Sequence, residues 1–226
     1  MSPERRFRPE LDHVHDVIRS FVSEFPDAVL LGGWATYLRT GVAKSHDIDV
    51  IVDHATLERL RAKHRLTSST HVSGRMFEFK IEGVAVDVYP VYQSKLGQRL
   101  QVPVEALISH SEKIEQVRVL TGEAQFVAKM AALLDRPDTL PGEKDRREML
   151  ALLNSSAGLD FRIIFHLLMQ SGWQGERQVE VLSSTFDLLL ETDGLTKRDR
   201  SALRLTRARA LDGAREIGSP DKEFDR

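Results

Sequence analysis

Residues 28 to 53 read Ala28-Val29-Leu30-Leu31-Gly32-Gly33-Trp34-Ala35-Thr36-Tyr37-Leu38-Arg39-Thr40-Gly41-Val42-Ala43-Lys44-Ser45-His46-Asp47-Ile48-Asp49-Val50-Ile51-Val52-Asp53. Four apolar residues run into a glycine pair, the pattern of a buried strand stopped by a breaker. Trp34 to Leu38 reads as a short helix. Asp47 to Val52 reads as a second apolar strand with two aspartates at its start. Side chains two apart on a strand leave the sheet on the same side. Asp47 and Asp49 therefore share one face, and Ile48 and Val50 pack on the other. Adjacent carboxylates repel unless a cation sits between them. Mg²⁺, or Mn²⁺ in its place, suits such hard oxygen ligands, and Mg²⁺ usually takes one or two carboxylates together with substrate phosphates. Gly32 and Gly33 fit the same site: they allow close backbone approach to a phosphate, and the helix that follows presents N–H groups and its positive end. Taken singly, a Gly-Gly is a turn and an Asp-x-Asp is a solvated strand end. Their order and spacing together are far more specific.

Met76 to Ile81 alternates, with Phe77, Phe79 and Ile81 against Glu78, Lys80 and Glu82, which predicts a half-buried strand. Glu82-Gly83 is a tight turn and Val84 to Tyr89 the returning strand, closed by Pro90. The two form a hairpin. Asp87 shares a face with Ala85 and Tyr89, opposite Val84, Val86 and Val88. A carboxylate on so apolar a strand is costly if buried unpaired. An edge strand facing water would explain it, and so would a metal. With Asp47 and Asp49 upstream, Asp87 is taken as the third carboxylate of one site.

Around this centre the chain is ordinary in composition. Its 226 residues suit one large or two small domains, and 41% hydrophobic residues are enough for a buried core. There is no cysteine, so disulfides and thiolate metal sites are excluded, which fits a reducing cytoplasm. No apolar run is long enough to cross a membrane, and the charged start, Met1 to Arg8, is not a secretory signal. A net charge of −2 gives no general attraction to nucleic acid, so any RNA contact must come from a local patch.

Residues 9 to 24 read as a helix, with His13 and His15 as solvated histidines. His54 to Arg65 reads as another, and Lys113 to Leu120 as a weakly alternating strand. Beyond Thr121 helical periodicities follow one another, which places a domain boundary near residue 120: a catalytic domain over 1–120 and a helical domain over 121–226. Gly122 to Leu134 is the first of these helices, with Lys129 bordering its apolar stripe and Arg136 seven residues on. After a loop over 136–142, Glu143 to Leu153 is the second, with Asp145 on its inward side. Lys129 and Asp145 form either a structural ion pair or part of a functional site. Phe161 to Leu168 is apolar with His166 inside it as a core histidine, and Gln178 to Leu190 is amphipathic. Thr196 to Arg209 carries Lys197, Arg200, Arg204 and Arg207 at helical intervals, a basic stripe that is either a solvated face or a surface for RNA phosphates.

Gly32-Gly33 with Asp47-Ile48-Asp49 resembles the signature of the DNA polymerase β-like nucleotidyltransferase superfamily. That resemblance implies an α+β fold, a mixed sheet with flanking helices followed here by a C-terminal helical bundle. It implies that the glycines hold nucleotide phosphates, that the aspartates hold metals, and that a third carboxylate lies on a neighbouring strand. Lys129 to Arg136, with Lys144-Asp145-Arg146 and Leu150 to Leu153, looks like the corresponding region of the AbiEii/MenT nucleotidyltransferase toxins. There the lysine contacts nucleotide phosphates and the aspartate is needed for activity. Ser45 matches a serine often found two residues before the first aspartate. The resemblance covers roughly residues 28 to 153. The chain is shorter than many members.

The expected reaction is Mg²⁺-dependent transfer of a nucleoside monophosphate from an NTP to an acceptor hydroxyl. Asp47, Asp49 and Asp87 would hold metal. Gly32, Gly33, Ser45 and Lys129 would seat the triphosphate, and Asp145 would support the reaction. The toxin resemblance implies the 3′ end of tRNA as acceptor and a cognate antitoxin protein as partner. The alternatives are a small-molecule nucleotidyltransferase of the antibiotic-modifying kind, and a non-catalytic RNA- or protein-binding module on the same scaffold.

Overall fold

The computed structural model describes residues 10–69, 74–155 and 158–217; the charged start of the chain lies outside them. Helix α1 (Leu11–Glu24) leads into β1 (Val29–Leu31), α2 (Gly32–Thr40), β2 (Asp47–Val52) and α3 (His54–Lys63). A short β3 (Thr67–Ser69) precedes the expected hairpin of β4 (Met76–Ile81) and β5 (Val84–Pro90). Its turn has Glu82 and Gly83 both at positive φ, as a tight hairpin requires. Then come β6 (Lys95–Leu96), β7 (Val102–Pro103) and α4 (Val104–Ile108), small elements with no clear periodicity in the sequence.

The strand expected over Lys113 to Leu120 is a hairpin, β8 (Ser111–Ile114) and β9 (Val117–Leu120), turning at Glu115 and Gln116 with φ of +48° and +69°. Five helices follow among the described residues: α5 (Gly122–Asp135), α6 (Leu140–Leu153), α7 (Phe161–Gln170), α8 (Glu176–Leu190) and α9 (Lys197–Ile217). Helix α6 begins three residues earlier than the sequence suggested. Thr139 caps it, its hydroxyl accepting from the Gly142 N–H, and Pro141 in the first turn has no N–H to satisfy.

Seven strands form one mixed sheet in the order β3-β4-β5-β2-β1-β9-β8. β2 runs antiparallel to β1 and parallel to β5, and β1 runs parallel to β9. One face, with Ile48, Val50, Val84, Val86 and Val88, packs on α1, α2 and α3 around the fully buried Trp34. The other face, with Val29, Ile51 and Tyr89, packs on α5 and the helices after it. That second core takes residues from both sides of residue 120. This is the α+β architecture expected from the sequence, and the alternation on β2 and β5 holds: apolar residues on one side, the aspartates on the other.

The histidines differ from expectation. His166 is exposed on α7, where it meets Gln170, because the apolar stripe turns away at that position. His13 and His15 are half-buried: His13 contacts the Glu82 carbonyl, and His15 stacks on Trp34 with ring centroids 5.4 Å apart.

Candidate active site

β1 ends where β2 begins, and the register pairs Leu31 with Asp49. On the far side of β2, Asp49 pairs with Asp87. The sheet therefore places Asp49 and Asp87 side by side, with Asp47 two residues along the same face. All three line a cleft of about 930 Å³ with Gly32, Gly33, Ser45, Lys129 and Asp145. Every residue expected at the site thus lines one cavity, apart from the α9 stripe. There, Arg207 reaches Ser183 and Asp187 of α8, and Arg200 donates to the Leu190 carbonyl. Of the four, Lys197 and Arg204 are exposed, and Arg200 and Arg207 are half-buried.

The carboxylates crowd one another. Burial raises the Asp49 pKa to about 8, the charges of Asp47 and Asp87 add to the rise, and Lys129 and Lys144 oppose it. The Tyr89 hydroxyl donates to Asp49 Oδ1 at 3.4 Å. Its own pKa is pushed well above the usual tyrosine value, first by burial and then by Asp49 and Asp87.

The glycine pair is required by these neighbours. Gly32 has a φ of +71°, and a Cβ there would lie 2.0 Å from Asp49 Oδ2. A Cβ on Gly33 would lie 2.8 Å from Ser45 Cβ and 3.0 Å from Lys144 Nζ. The Gly32 carbonyl accepts from Gln125 Nε2 at 2.6 Å, which ties α5 to the start of α2. No side chain caps the N-terminus of α2, so its first-turn N–H groups lie beside the cleft without a side-chain acceptor. Gly32→Ala is expected to lower Tm by more than the ~2–8 °C that a left-handed alanine alone would give. Gly41 is the control, having a φ of +72° and nothing within 4 Å of an added Cβ. Equal melting shifts for Gly32→Ala and Gly41→Ala would contradict the close approach to Asp49.

Across the cleft lies a network of charges. Lys129 is buried on α5 and meets Asp145 Oδ1 at 2.9 Å and also Glu148. The Arg136 guanidinium forks onto Asp145 Oδ2 at 3.0 and 2.8 Å. Lys144 Nζ lies 3.7 Å from Glu148 Oε1 and donates to Ser45 Oγ at 3.0 Å. The Ser45 hydroxyl in turn donates to Asp47, and the Ser45 carbonyl accepts from Trp34 Nε1 at 2.8 Å. Burial alone would lower the Lys129 pKa, but Asp145 and Glu148 outweigh it and raise the pKa. Sequence reasoning does not single out Glu148, Gln125 or Tyr89. For Glu148 a signal exists: three residues after Asp145, it shares the inward side of α6.

Among the described residues, no group of three or more His, Asp or Glu side chains is arranged as the ligands of one metal ion. A complete protein cage is not what Mg²⁺ uses beside a phosphate substrate. The donor chemistry fits such an ion: two register-paired carboxylates, a third two residues away, and a half-buried Asp49 whose charged form is disfavoured by the other two.

No protein-family model matches the chain, and no curated protein matches it. Among solved structures, an antigenic nucleotidyltransferase-like protein from Paracoccidioides brasiliensis is similar at 15% identity and a TM-score of 0.39, over 81% of this chain and 93% of that one. The Helicobacter pylori protein JHP933 is similar at 14% identity and a TM-score of 0.41, over 93% and 94% of the two chains. At these values the likeness says nothing about activity.

Proposed function

We propose that the chain is a metal-dependent nucleotidyltransferase that moves a nucleoside monophosphate from an NTP to an acceptor hydroxyl. One observation carries the reading: three aspartates crowd one wall of a cleft whose adjoining wall is the glycine turn and uncapped N-terminus of α2. The reaction forms one bond from the acceptor oxygen to the α-phosphorus, breaks the bond to pyrophosphate and releases the hydroxyl proton. Bound Mg²⁺, or Mn²⁺, would stabilise the attacking and leaving oxygens of that in-line displacement. Asp47, Asp49 and Asp87 are the residues that would hold it. Asp87 is also assigned the acceptor proton. The first turn of α2 and Ser45 seat the triphosphate, an anion at a helix N-terminus.

The lysine of the phosphate seat is assigned to Lys144 as well as Lys129. Lys129 is only 7% exposed and already faces two carboxylates. Lys144 has more of its side chain open to solvent and stands at Ser45 and above Gly33. Lys144→Ala is expected to weaken NTP binding roughly 10- to 150-fold, the worth of one charge-assisted contact, with Tm nearly unchanged. Unaltered NTP affinity in a folded Lys144→Ala protein would remove this lysine from the seat.

The acceptor we favour is RNA, with a tRNA 3′ end as the first candidate and an antitoxin-like protein as a regulatory partner. A small-molecule acceptor is the second reading, favoured by the internal contacts of Arg200 and Arg207, which reduce the basic stripe of α9. Incubation with each labelled NTP, Mg²⁺ and total RNA tests the reading. Label entering RNA supports it. No incorporation into RNA, with transfer to an aminoglycoside-type hydroxyl compound, would select the second reading. No transfer to either acceptor would refute nucleotidyl transfer.

A further inference from the structure

A second cleft, of about 630 Å³, opens beside the first. The two meet at a shared rim. Gln98 lines the first and Arg99 the second; Arg136 lines the first and Pro137 the second. The rim is pinned, because the Asp135 carboxylate accepts from the backbone N–H of Gln98 at 2.7 Å and of Arg99 at 2.9 Å. In the second cleft Trp173, from the α7–α8 turn, is half-buried, and the Arg177 guanidinium lies 4.6 Å from its ring centroid. Among the described residues neither Arg99 nor Arg177 has an ion-pair partner. The acidic residues of the cleft are Glu180 and Asp187, and Arg207 already neutralises Asp187 at 3.0 Å. The cleft thus combines two available guanidiniums, one remaining carboxylate and a stacked aromatic plane.

We infer that this cleft binds a single-stranded segment of a polynucleotide, its bases extending the Trp173–Arg177 stack and its phosphates meeting Arg99 and Arg177. Unpaired bases stack on aromatic rings and on guanidinium planes, and backbone-tracking arginines supply the salt-dependent part of such binding. A strand held there reaches the aspartates by crossing the Gln98–Arg99 rim, so one of its ends is delivered to the first cleft, the 3′ end where its hydroxyl is the acceptor. In that respect the inference rests on the nucleotidyl-transfer reading. It also gives Arg207 a role apart from phosphate contact: it cancels a carboxylate that would repel the strand.

The test uses the full chain and a single-stranded oligoribonucleotide of about eight residues, with binding measured over a range of salt concentration. Trp173→Ala is expected to weaken binding roughly 5- to 150-fold. Arg99→Gln with Arg177→Gln, two exposed positions whose replacement leaves the core intact, is expected to flatten the log–log salt slope by about 1.4, near 0.7 for each phosphate no longer neutralised. Thermal melting checks that each variant is folded, and the arginine pair decides the matter if Trp173→Ala unfolds. Wild-type slope and affinity in the folded arginine variant would overturn the inference. So would equally tight competition by polyglutamate, which carries charge but nothing to stack. Oligonucleotide bound through this cleft without any nucleotidyl transfer would leave the cleft standing and sink the proposed function. Transfer to the oligonucleotide with an unchanged KM in the arginine variant would do the reverse.

Discussion

Asp49→Asn is expected to reduce nucleotidyl transfer by about 10³-fold or more while making the metal-free protein more stable above neutral pH. The catalytic half follows from position. Asp49 stands between the other two aspartates, and removal of one group that stabilises developing charge typically costs about 10²–10³ in rate, more when it also holds a metal. The stability half follows from the raised pKa. Folded Asp49 keeps its proton to about pH 8, whereas the unfolded residue loses it near the ordinary aspartate value of 3.8. Between these values the folded state binds the extra proton, so wild-type stability falls as pH rises through the window, and the deficit is complete above pH 8. Asparagine carries no charge and escapes it. The Tm advantage of the variant should be absent below pH 4, grow to several degrees by pH 8, and shrink when Mg²⁺ is added to both proteins. A melting curve for Asp49→Asn that stays parallel to wild type across this range would show that Asp49 is not the crowded carboxylate.

Lys129→Met should act in the opposite sense. The substitution leaves Asp145 with Arg136 alone and Glu148 with Lys144 at 3.7 Å, both carboxylates being buried. Breaking a buried ion pair from one side destabilises by about 3–5 kcal/mol, which at this chain length is roughly 6–20 °C in Tm. The sequence leaves two readings of Lys129 open, and the measurement separates them. A structural lysine gives a large fall in Tm and an NTP affinity per folded molecule close to wild type. A phosphate-contacting lysine gives a loss of affinity as well. A variant that melts like wild type would exclude the structural role.

The parts of this protein legible in its sequence are those where local pattern and chemistry coincide. Leu31-Gly32 and Asp47-Ile48-Asp49 mark strand ends by composition, and period-two alternation puts Asp47 and Asp49 on one face of their strand, and Asp87 opposite the valines of its own, without any knowledge of the sheet. The order of the strands is not legible. Nothing local says that β5 adds to β2 in parallel, and that pairing brings Asp87 to Asp49. The β8–β9 turn is hidden because Glu115 and Gln116 are not the usual residues at positive φ. The part played by Lys144 is hidden for a different reason: on a helix rich in charge, a residue at the edge of the inward side looks like any solvated lysine until the neighbouring elements are placed. The stripe on α9 is the converse case. Its spacing does mark one helix face, but α8 lies against that face and takes up Arg200 and Arg207.

Helix α5 makes three of the contacts that define the first cleft: Gln125 on the Gly32 carbonyl, Lys129 on the α6 carboxylates, and Asp135 on the turn at Gln98 and Arg99. During synthesis the three aspartates leave the ribosome well before this helix does. The emerging chain can order its strands and still have no closed cleft, because the wall opposite the aspartates has yet to be made. Assembly of the cleft therefore waits on contacts far apart in sequence, the class that forms late and slowly. Until then the sheet face carrying Val29, Ile51 and Tyr89 is uncovered, which makes that interval the period in which the newborn chain is most exposed to aggregation.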